Sequence, residues 1–265
     1  MARFFITGSS DGLGLLTAKK LLSLGHEVVL HARNASRADH TRQACPGAVD
    51  VLIGDLSSID ETKSLAAQAA AHGPYEAVLH NAGVYSGMEF VPGKSGLPTL
   101  FTVNTLAPYI LTVLMKDSAK RLVYVSSELH HGGKPRLNDV ENSSYGDSKV
   151  QVIMLGKAFA RLFRGGKEAG GDGDEKRKGG GDIVGACSVH PGWVPTKMGG
   201  ANATDDLGEA VEAFVQTSLG TLPGSNSGKY FGPGGVEEQP ERVTEDVKLQ
   251  DSLLERLAEI SGVRL

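Results

Sequence analysis

The sequence has only two cysteines among its 265 residues, Cys45 and Cys187. They lie far apart along the chain and lack the close spacing of metal ligands, so no zinc site can be built from them. Two free thiols are the state expected for such a pair in a cytoplasmic protein. The sequence therefore predicts neither a disulfide framework nor a metal centre.

Long apolar runs and an excess of positive charge are also missing. No stretch approaches the roughly 18 consecutive apolar residues that a membrane helix needs, and the first residues lack the charged and then apolar pattern of an export leader. Lysine and arginine total 27 against 31 aspartates and glutamates, a formal net charge of −4. We therefore expect a cytoplasmic protein without a membrane span, and neither nucleic acid nor an anionic membrane as its partner.

What the sequence does contain is an alternation of short apolar runs and longer helical stretches. The strand-like runs are 3–7, 27–31, 49–53, 77–80, 121–125, 183–189 and 229–231. The helical stretches are 13–24, 58–72, 105–115, 144–163, 205–219 and 246–260. This order predicts a single α/β domain over residues 1–265, a Rossmann-like doubly wound parallel sheet of about seven strands with helices on both faces. Ligands of such sheets bind at the carboxyl ends of the strands.

A glycine-rich turn follows the first strand. Its residues are Gly8, Ser9, Ser10, Asp11, Gly12, Leu13 and Gly14, and a helical stretch comes directly after them. Strand, glycine-rich turn and helix is the context in which backbone N–H groups approach a pyrophosphate, assisted by the dipole of the helix N-terminus. The alternative is an ordinary tight turn between a strand and a helix.

Tyr145 and Lys149 form a second pattern, because they lie four residues apart. This separation is about one helical turn, so a helix that begins near Ser143 directs both side chains into one site. An ammonium group beside a phenol favours the phenolate, so we expect Lys149 to lower the pKa of Tyr145 and make it a general acid and base. A solvated surface pair is the alternative for such a spacing taken alone.

Seven short motifs, in order, make the chain resemble the short-chain dehydrogenase/reductase family over nearly its whole length. They are the turn Thr7 to Gly14, Gly54-Asp55-Leu56, Asn81-Ala82-Gly83, Val103-Asn104, Val125-Ser126-Ser127, Tyr145-Gly146-Asp147-Ser148-Lys149 and His190-Pro191-Gly192. The long interval from Ser127 to Tyr145 and the stretch 104–109 are most similar to the retinol-dehydrogenase-like branch. The resemblance implies hydride transfer between a nicotinamide cofactor and a carbonyl or alcohol, and leaves the substrate open.

The same resemblance implies four catalytic residues, which are Asn104, Ser127, Tyr145 and Lys149. Tyr145 would donate the proton to the carbonyl oxygen, and Lys149 would hold the nicotinamide ribose. Asn104 would anchor a water molecule that links Lys149 to solvent. The hydroxyl donor would be Ser126 or Ser127, of which the family pattern favours Ser127. Both serines could instead close a strand, and Asn104 could cap a helix that begins at the next residue.

The resemblance also implies the contacts with the cofactor. Besides the glycine-rich turn, Tyr145 and Lys149, the implied cofactor-binding residues are Asp55, Leu56, Asn81, Ala82, Gly83, Pro191, Gly192, Val194 and Thr196. Asp55 and Leu56 would contact the adenine, and Val194 and Thr196 would hold the carboxamide of the nicotinamide. For Asn81, a purely structural role is the alternative.

The end of the second strand indicates which nicotinamide cofactor is used. Enzymes of this fold that prefer NAD carry an acidic residue near this point, which binds the ribose 2′-hydroxyl and would repel a 2′-phosphate. Here Ala32 takes that place and Arg33 follows it, with a guanidinium group that suits a phosphate. We therefore expect NADP(H) to be preferred over NAD(H), with Arg33 as the phosphate-binding residue. An exposed arginine without a role is the alternative, and Arg37 and Arg42 lie near enough to compete for the assignment.

Two loops stand out from the alternating pattern. The segment 164–182 contains eight glycines and ten charged residues. Such a composition cannot offset the entropy of ordering the chain, so we expect a flexible insert loop there. The second loop, 129–135, contains the adjacent residues His130 and His131, which we expect to face solvent. A metal site or a second acid/base is the alternative for this pair.

These patterns together predict an NADP(H)-dependent oxidoreductase that interconverts an aldehyde or ketone and an alcohol. A non-catalytic NADP(H)-binding sensor or scaffold protein of the same fold is the alternative. The family resemblance also implies a homodimer or homotetramer, with 105–115 and 150–163 as candidate interface helices. The apolar positions of these helices could equally face only the sheet of their own chain.

Overall fold

The first seven strands of the chain pair in parallel, in an order that does not follow the sequence. The computed structural model describes residues 1–85, 87–164 and 185–265, so the predicted insert lies, after Arg164, outside the described residues. The strands are β1 (Arg3–Ile6), β2 (Glu27–Ala32), β3 (Asp50–Ile53), β4 (Tyr75–His80), β5 (Ala119–Val125), β6 (Gly185–Val189), β7 (Tyr230–Phe231) and β8 (Glu237–Glu238). Their order in the sheet is β3-β2-β1-β4-β5-β6-β7-β8, and β8 runs antiparallel to β7.

Helices cover both faces of this sheet. They are α1 (Gly12–Ser23), α2 (Ala35–Ala44), α3 (Ile59–His72), α4 (Thr99–Phe101), α5 (Ala107–Leu114), α6 (Tyr145–Arg164), α7 (Leu207–Leu219) and α8 (Val247–Ser261). Phe5 packs into the hydrophobic core shared with α3, α5, α6 and α8, whereas Phe4 and Ile6 pack into the core shared with α1, α2 and α7. Successive strand residues point to opposite faces, so a strand buried on both sides is apolar throughout. The predicted Rossmann-like α/β fold is therefore confirmed.

Three of these elements, α2, the three-residue α4 and β8, are absent from the sequence-based prediction. Helix α2 buries only Ala38 and Thr41, so it lacks the apolar periodicity that reveals a helix. Its start is set instead by Asn34, whose side chain accepts the Arg37 N–H at 3.0 Å. Strand β8 has two residues, too few for an alternating pattern. The sheet consequently has eight strands where about seven were expected.

The direction in which the chain adds strands to the sheet reverses at β1. Strands β2 and β3 lie on one side of β1, and β4 to β7 lie on the other. A crevice forms at the carboxyl ends of the strands where such a reversal occurs, and ligands bind in it. The segments after β1 and β4 border this crevice, which brings the glycine-rich turn next to residues 81–83.

The two candidate interface helices bury most of their apolar residues within a single chain, with Leu114 and Leu162 as exposed exceptions. Residues 107–113 of α5 are all buried. Helix α8 packs against both α5 and α6. The hydroxyl group of Tyr109 on α5 donates to the Val263 carbonyl at 2.9 Å, and Arg161 on α6 forms an ion pair with Asp251 on α8. These contacts fit the alternative in which the apolar positions face their own chain.

The N-terminus of α6 is held by the carboxylate of Asp147. Its Oδ1 accepts the Lys134 N–H at 2.7 Å, and its Oδ2 accepts the Ser144 N–H and the Arg136 Nε–H, both at 2.9 Å. Burial alone would raise the pKa of Asp147, but these hydrogen bonds and the charge of Arg136 bring it below its ordinary value. The carboxylate thereby joins the loop after β5 to the first turn of α6.

We expect Asp147→Ala to lower the free energy of unfolding at pH 7 by about 2–3 kcal/mol, because it leaves two backbone N–H groups without their acceptor. A carboxyl group with a depressed folded pKa contributes stability above its unfolded pKa of about 3.9, and the contribution is lost as the pH falls through the folded value. In urea unfolding, the difference from the unchanged protein should therefore shrink below about pH 4. Asp139→Ala, on the exposed side of the same loop, is the control and should change stability by at most about 0.5 kcal/mol. Equal losses in the two variants would contradict this account.

Candidate active site

The glycine-rich turn after β1 is pressed against the segment that follows β4. Gly8 has a φ of +61°, and a Cβ there would lie 2.7 Å from the Cα of Ala82. A Cβ on Gly14 would lie 2.5 Å from Asn81 Nδ2. The same Nδ2 donates to the carbonyls of Thr7 and Gly8, at 2.8 and 3.0 Å. The turn thus requires glycine at both positions. Asn81 makes the contacts expected of a purely structural role, which was the alternative for this residue.

His31 also holds this turn, and it was not among the predicted site residues. The Gly8 N–H donates to His31 Nδ1 at 2.9 Å, and His31 Nε2 lies 2.7 Å from the Gly54 carbonyl. Because Nδ1 accepts, Nε2 carries the proton and donates. Burial lowers the pKa of His31 below its ordinary value, so the ring is neutral. The available signal was a polar residue inside the apolar strand β2.

A cleft of about 580 Å³ runs along the carboxyl ends of the strands. The predicted cofactor-binding residues that line it are Gly8, Ser10, Asp11, Gly12, Leu13, Gly14, Arg33, Asp55, Leu56, Asn81, Ala82, Gly83, Tyr145, Lys149, Pro191 and Thr196. Ser9, Gly192 and Val194 lie outside this lining. Ser9 faces inward, where its hydroxyl donates to the Ile6 carbonyl at 2.8 Å. Val194 is buried, and its carbonyl accepts the Thr196 N–H at 2.8 Å, so it shapes the loop after β6.

The three arginines near the end of β2 differ in their partners. Arg37 lines the cleft and donates to the hydroxyl of Ser10, at 3.0 Å, and to the carboxylate of Asp11, at 2.6 Å. Arg42 lies outside the cleft lining and donates to Asp39, at 3.1 Å. Arg33 is exposed and lines the cleft, and its guanidinium has no hydrogen bond or ion pair within residues 1–85, 87–164 and 185–265. Arg33 is therefore the arginine of the three with its charge available to a ligand.

Tyr145 and Lys149 lie one helical turn apart on α6, at the other end of the cleft. Lys149 Nζ is 5.3 Å from the centre of the Tyr145 ring and donates to the Val125 carbonyl at 2.9 Å. Burial lowers the pKa of Lys149 to about 8. Burial also raises the pKa of Tyr145 to about 12, although the Ser127 side chain acts in the opposite direction. The expected lowering of the Tyr145 pKa is thus wrong for this structure, because removal of the phenol from water has the larger effect.

The two serines after β5 have different surroundings. Ser126 contributes to the cleft lining, but its hydroxyl is bound into the protein and donates to the Lys149 carbonyl at 3.0 Å. The oxygen of Ser127 accepts the Leu129 N–H at 3.3 Å, and its side chain reaches the Tyr145 phenol. Ser127 therefore has the hydroxyl group that lies beside Tyr145.

Asn104 lies in a π-helical turn, Thr102–Leu106, that joins α4 to α5. Its Oδ1 accepts the Val84 N–H at 2.8 Å, and its Nδ2 donates to the Val84 carbonyl at 3.0 Å and to Ser148 Oγ at 3.1 Å. Helical backbone already begins at Thr99, so Asn104 is not the cap of a helix that starts at the next residue. Such π-helical turns within helices often occur at functional sites.

Three half-exposed apolar side chains lie beside Tyr145, beside Ser127 or in the cleft lining. The ring of Tyr85 packs edge-on against the ring of Tyr145, with 4.7 Å between centroids. Leu129, held next to Ser127 by the hydrogen bond to its oxygen, exposes 52% of its surface. Met198 lines the cleft and exposes 47%. These half-exposed side chains form an apolar rim beside the groups that can donate a proton.

The loop histidines differ from the prediction that both face solvent. His131 is exposed, but the side chain of His130 is completely buried. Within the described residues, no three His, Cys, Asp or Glu side chains are grouped so that they could hold a metal ion. Among the helices described, none combines the length and the apolar character that crossing a bilayer requires.

Comparison with known proteins gives consistent similarities. The family model described as short chain dehydrogenase matches residues 3–166. An uncharacterized oxidoreductase, AN7799, from Emericella nidulans is 42% identical, over 99% of this chain and 98% of its own length. Retinol dehydrogenase 14 from Mus musculus is 27% identical, over 73% of this chain and 61% of its own length. The crystal structure of a short-chain dehydrogenase/reductase from Burkholderia multivorans with bound NADP has a TM-score of 0.66 and 19% identity, and covers 89% of this chain and 98% of its own.

The fold and the cleft define a protein of the dinucleotide-binding class, with a tyrosine and a lysine on one helical turn. The chain belongs to the short-chain dehydrogenase family, whose members are oxidoreductases that bind a nicotinamide cofactor. The residues present fit such a cofactor, since Gly8 and Gly14 leave no space for side chains and the Arg33 guanidinium has no partner among the described residues.

Replacement of Lys149 tests the electrostatics of this site. Between the folded pKa of about 8 and the unfolded value of about 10.4, the unfolded chain binds more protons, so the unchanged protein gains about 3 kcal/mol of stability as the pH rises through this range. Lys149→Met removes the buried charge at a similar side-chain length. We expect the variant to be more stable than the unchanged protein at pH 7 in urea unfolding.

The advantage of Lys149→Met should disappear toward about pH 10, where the lysine is neutral in the folded protein. Lys20→Met, which removes an exposed ammonium group on α1, is the control and should show no such dependence on pH. A methionine variant that is less stable at pH 7 would show that burial does not penalise the Lys149 charge.

Proposed function

We propose that this protein is an NADP(H)-dependent oxidoreductase that interconverts an aldehyde or ketone and an alcohol. The observation that carries the proposal is the convergence of three groups: Tyr145 and Lys149, which line one cleft, and the Ser127 side chain, which reaches the Tyr145 phenol from outside the cleft lining. A carbonyl oxygen placed against Tyr145 and Ser127 would meet two hydrogen-bond donors, which stabilise the negative charge that develops on it. When bound, NADPH would supply the hydride for the carbonyl carbon.

Tyr145 is the proton donor in this proposal. Its pKa of about 12 keeps the phenol protonated at neutral pH, as the reduction of a carbonyl requires. Lys149 is mainly cationic at neutral pH, since its pKa is about 8, and its charge stabilises the phenolate left after proton transfer. Asn104 would anchor the water molecule that returns a proton from solvent to Lys149.

Different residues of the cleft would bind different parts of the cofactor. The N–H groups of the turn after β1 and the start of α1 suit the pyrophosphate. Asp55 and Leu56 line the end of the cleft near Arg33 and would contact the adenine. Residues 191–196 lie at the other end and would position the nicotinamide. The backbone of Gly192 and Val194 would take part there, because glycine has no side chain and the Val194 side chain is buried.

The preference for NADP(H) is supported by the charge at the end of β2. Ala32 leaves no carboxylate to repel a 2′-phosphate, and Arg33 has no partner among the described residues. Arg37 and Arg42 are engaged by carboxylates of the chain itself. The bound NADP of the Burkholderia multivorans structure supports a site of this shape.

The apolar rim formed by Tyr85, Leu129 and Met198 favours an apolar carbonyl compound over a charged one. Partly exposed apolar side chains that border a cleft gain most from covering an apolar ligand. The similarity to retinol dehydrogenase 14, whose name specifies an apolar alcohol, agrees with this preference.

Tyr145→Phe should reduce turnover at least about 1,000-fold, because it removes the hydroxyl group that donates the proton. The affinity for NADPH should remain unchanged, because the rest of the side chain is kept. Turnover is measured as NADPH oxidation with 4-nitrobenzaldehyde, acetophenone, cyclohexanone and phenanthrenequinone, and binding by calorimetry. Tyr109→Phe, which removes a hydroxyl on α5 away from the cleft, is the matched control. Near-normal turnover in Tyr145→Phe would overturn the mechanism. Tight NADPH binding without turnover in the unchanged protein would favour a sensor or scaffold.

Arg33→Ala should raise the Kd for NADPH about 10- to 100-fold, since a charge-assisted pair with a phosphate contributes about 1.5–3 kcal/mol. The Kd for NADH, which has no 2′-phosphate, should remain nearly constant. Calorimetry with both cofactors separates the two effects. Arg42→Ala is the control, because Arg42 lies on α2 outside the cleft lining. If Arg37→Ala instead weakens NADPH selectively, Arg37 is the phosphate-binding residue.

A further inference from the structure

A buried histidine supports the backbone on which the proposed hydroxyl donor stands. His130 lies in a 3₁₀-helical turn, Glu128–Gly132, directly after Ser127. Its Nδ1 is 2.8 Å from the Ser127 carbonyl, and its own backbone N–H donates to that carbonyl at 3.1 Å. The hydroxyl group of Tyr230 on β7 approaches the same carbonyl, at 3.5 Å. Three donors from two distant parts of the chain therefore converge on one carbonyl oxygen.

The contacts of the His130 ring determine its tautomer. The Glu241 N–H donates to Nε2 at 3.3 Å, so Nε2 is an acceptor and carries no proton. The proton of the neutral ring is then on Nδ1, which donates to the Ser127 carbonyl. Burial, which disfavours the imidazolium, lowers the pKa of His130 below its ordinary value. The ring is thus held in the one neutral form that can bridge residue 241 and the Ser127 backbone.

The hydroxyl group of Ser127 is oriented by the same turn. Its oxygen accepts the Leu129 N–H at 3.3 Å, and both residues belong to the segment whose backbone His130 holds. With one lone pair used in this way, the hydroxyl proton remains available toward Tyr145 and a carbonyl oxygen. A rotation of the Ser127 peptide would turn the hydroxyl away. Misplacement of a reacting group by about 1 Å is enough to reduce a rate about 100-fold.

We propose that His130, with Tyr230, is a positioning residue that holds Ser127 in the geometry needed for donation to the substrate carbonyl. His130 is buried behind the serine and does not touch the substrate. The proposal rests on the proposed function, because it gives Ser127 the role of hydroxyl donor. It goes beyond that function by assigning a role to a histidine that lines neither the cofactor cleft nor a metal site.

The test compares three variants in the assay with the four carbonyl compounds, using the one that the unchanged protein reduces fastest. His130→Leu should lower kcat about 10- to 100-fold and leave the Kd for NADPH within about twofold. His130→Asn, whose Nδ2 can replace the ring Nδ1–H, should recover most of the loss. Tyr230→Phe removes one donor without emptying space in the core, and should lower kcat about 3- to 10-fold. Normal kcat in both His130→Leu and Tyr230→Phe would overturn the proposal.

A double-mutant cycle separates positioning from a general loss of structure. If His130 acts through Ser127, His130→Leu should reduce kcat less than about twofold in a Ser127→Ala background, because the group that it positions is gone. A loss as large as in the unchanged background would show a structural role only, and would overturn the proposal. Thermal unfolding of each variant identifies any that fails to fold, in which case Tyr230→Phe carries the same cycle.

Two readouts keep this proposal distinct from the proposed function. Full activity in Tyr145→Phe would overturn the proposed mechanism, whereas an inactive Tyr145→Phe with an unaffected His130→Leu would overturn only the positioning role. Nitrogen-15 spectra of histidine-labelled protein test the geometry without any substrate. They should show the Nδ1–H tautomer for the resonance that disappears in His130→Asn. The Nε2–H tautomer would overturn the proposal, since Nδ1 could then not donate to the Ser127 carbonyl.

Discussion

The architecture depends on the close contact between the turn after β1 and the segment after β4. One amide group, Asn81 Nδ2, donates to two carbonyls of that turn. A side chain at position 8 or 14 would collide with residues 81 or 82. This contact joins β1 and β4, the parallel neighbours between which the order of strand addition reverses, and so sets where the crevice opens. The proposed cofactor site extends along it, from Arg33 at one end to Tyr145 at the other.

The site combines groups that are costly to bury with partners that limit the cost. Lys149 is buried with its ammonium on the Val125 carbonyl, and Tyr145 is partly buried beside Ser127. Burial moves the two pKa values in opposite directions, because it disfavours the ammonium ion of one and the phenolate of the other. The two groups have similar pKa values in water, and burial separates them to about 8 for Lys149 and about 12 for Tyr145. At neutral pH the site therefore holds a protonated phenol beside a lysine that is mainly cationic.

The regular parts of the fold were predictable from local patterns. Strands β1 and β2 are nearly continuous in apolar residues, because both of their faces are covered, and they end within a residue of the predicted positions. Helix α2 was not predicted because its polar sequence buries almost no apolar surface. Strand β8 was not predicted because two residues are too few to show an alternating pattern. The position of Asn104 in a π-helical turn had no local signal either. It follows from the hydrogen bonds of its amide to Val84 on another segment.

Residue types and their spacing along the chain were sufficient to indicate the family, the phosphate-binding turn and the set of groups able to act. Only the tertiary structure decided the burial, the pKa values and the hydrogen-bond partners of those groups. Among the described residues Arg33 has no partner, whereas Arg37 donates to Asp11. Burial raises the pKa of Tyr145 in spite of the lysine one helical turn away. The partner of the buried His130, Glu241, lies 111 positions further along the chain, so no local pattern reveals this burial. Desolvation and hydrogen bonding depend on neighbours in space, and a local sequence pattern does not specify those neighbours.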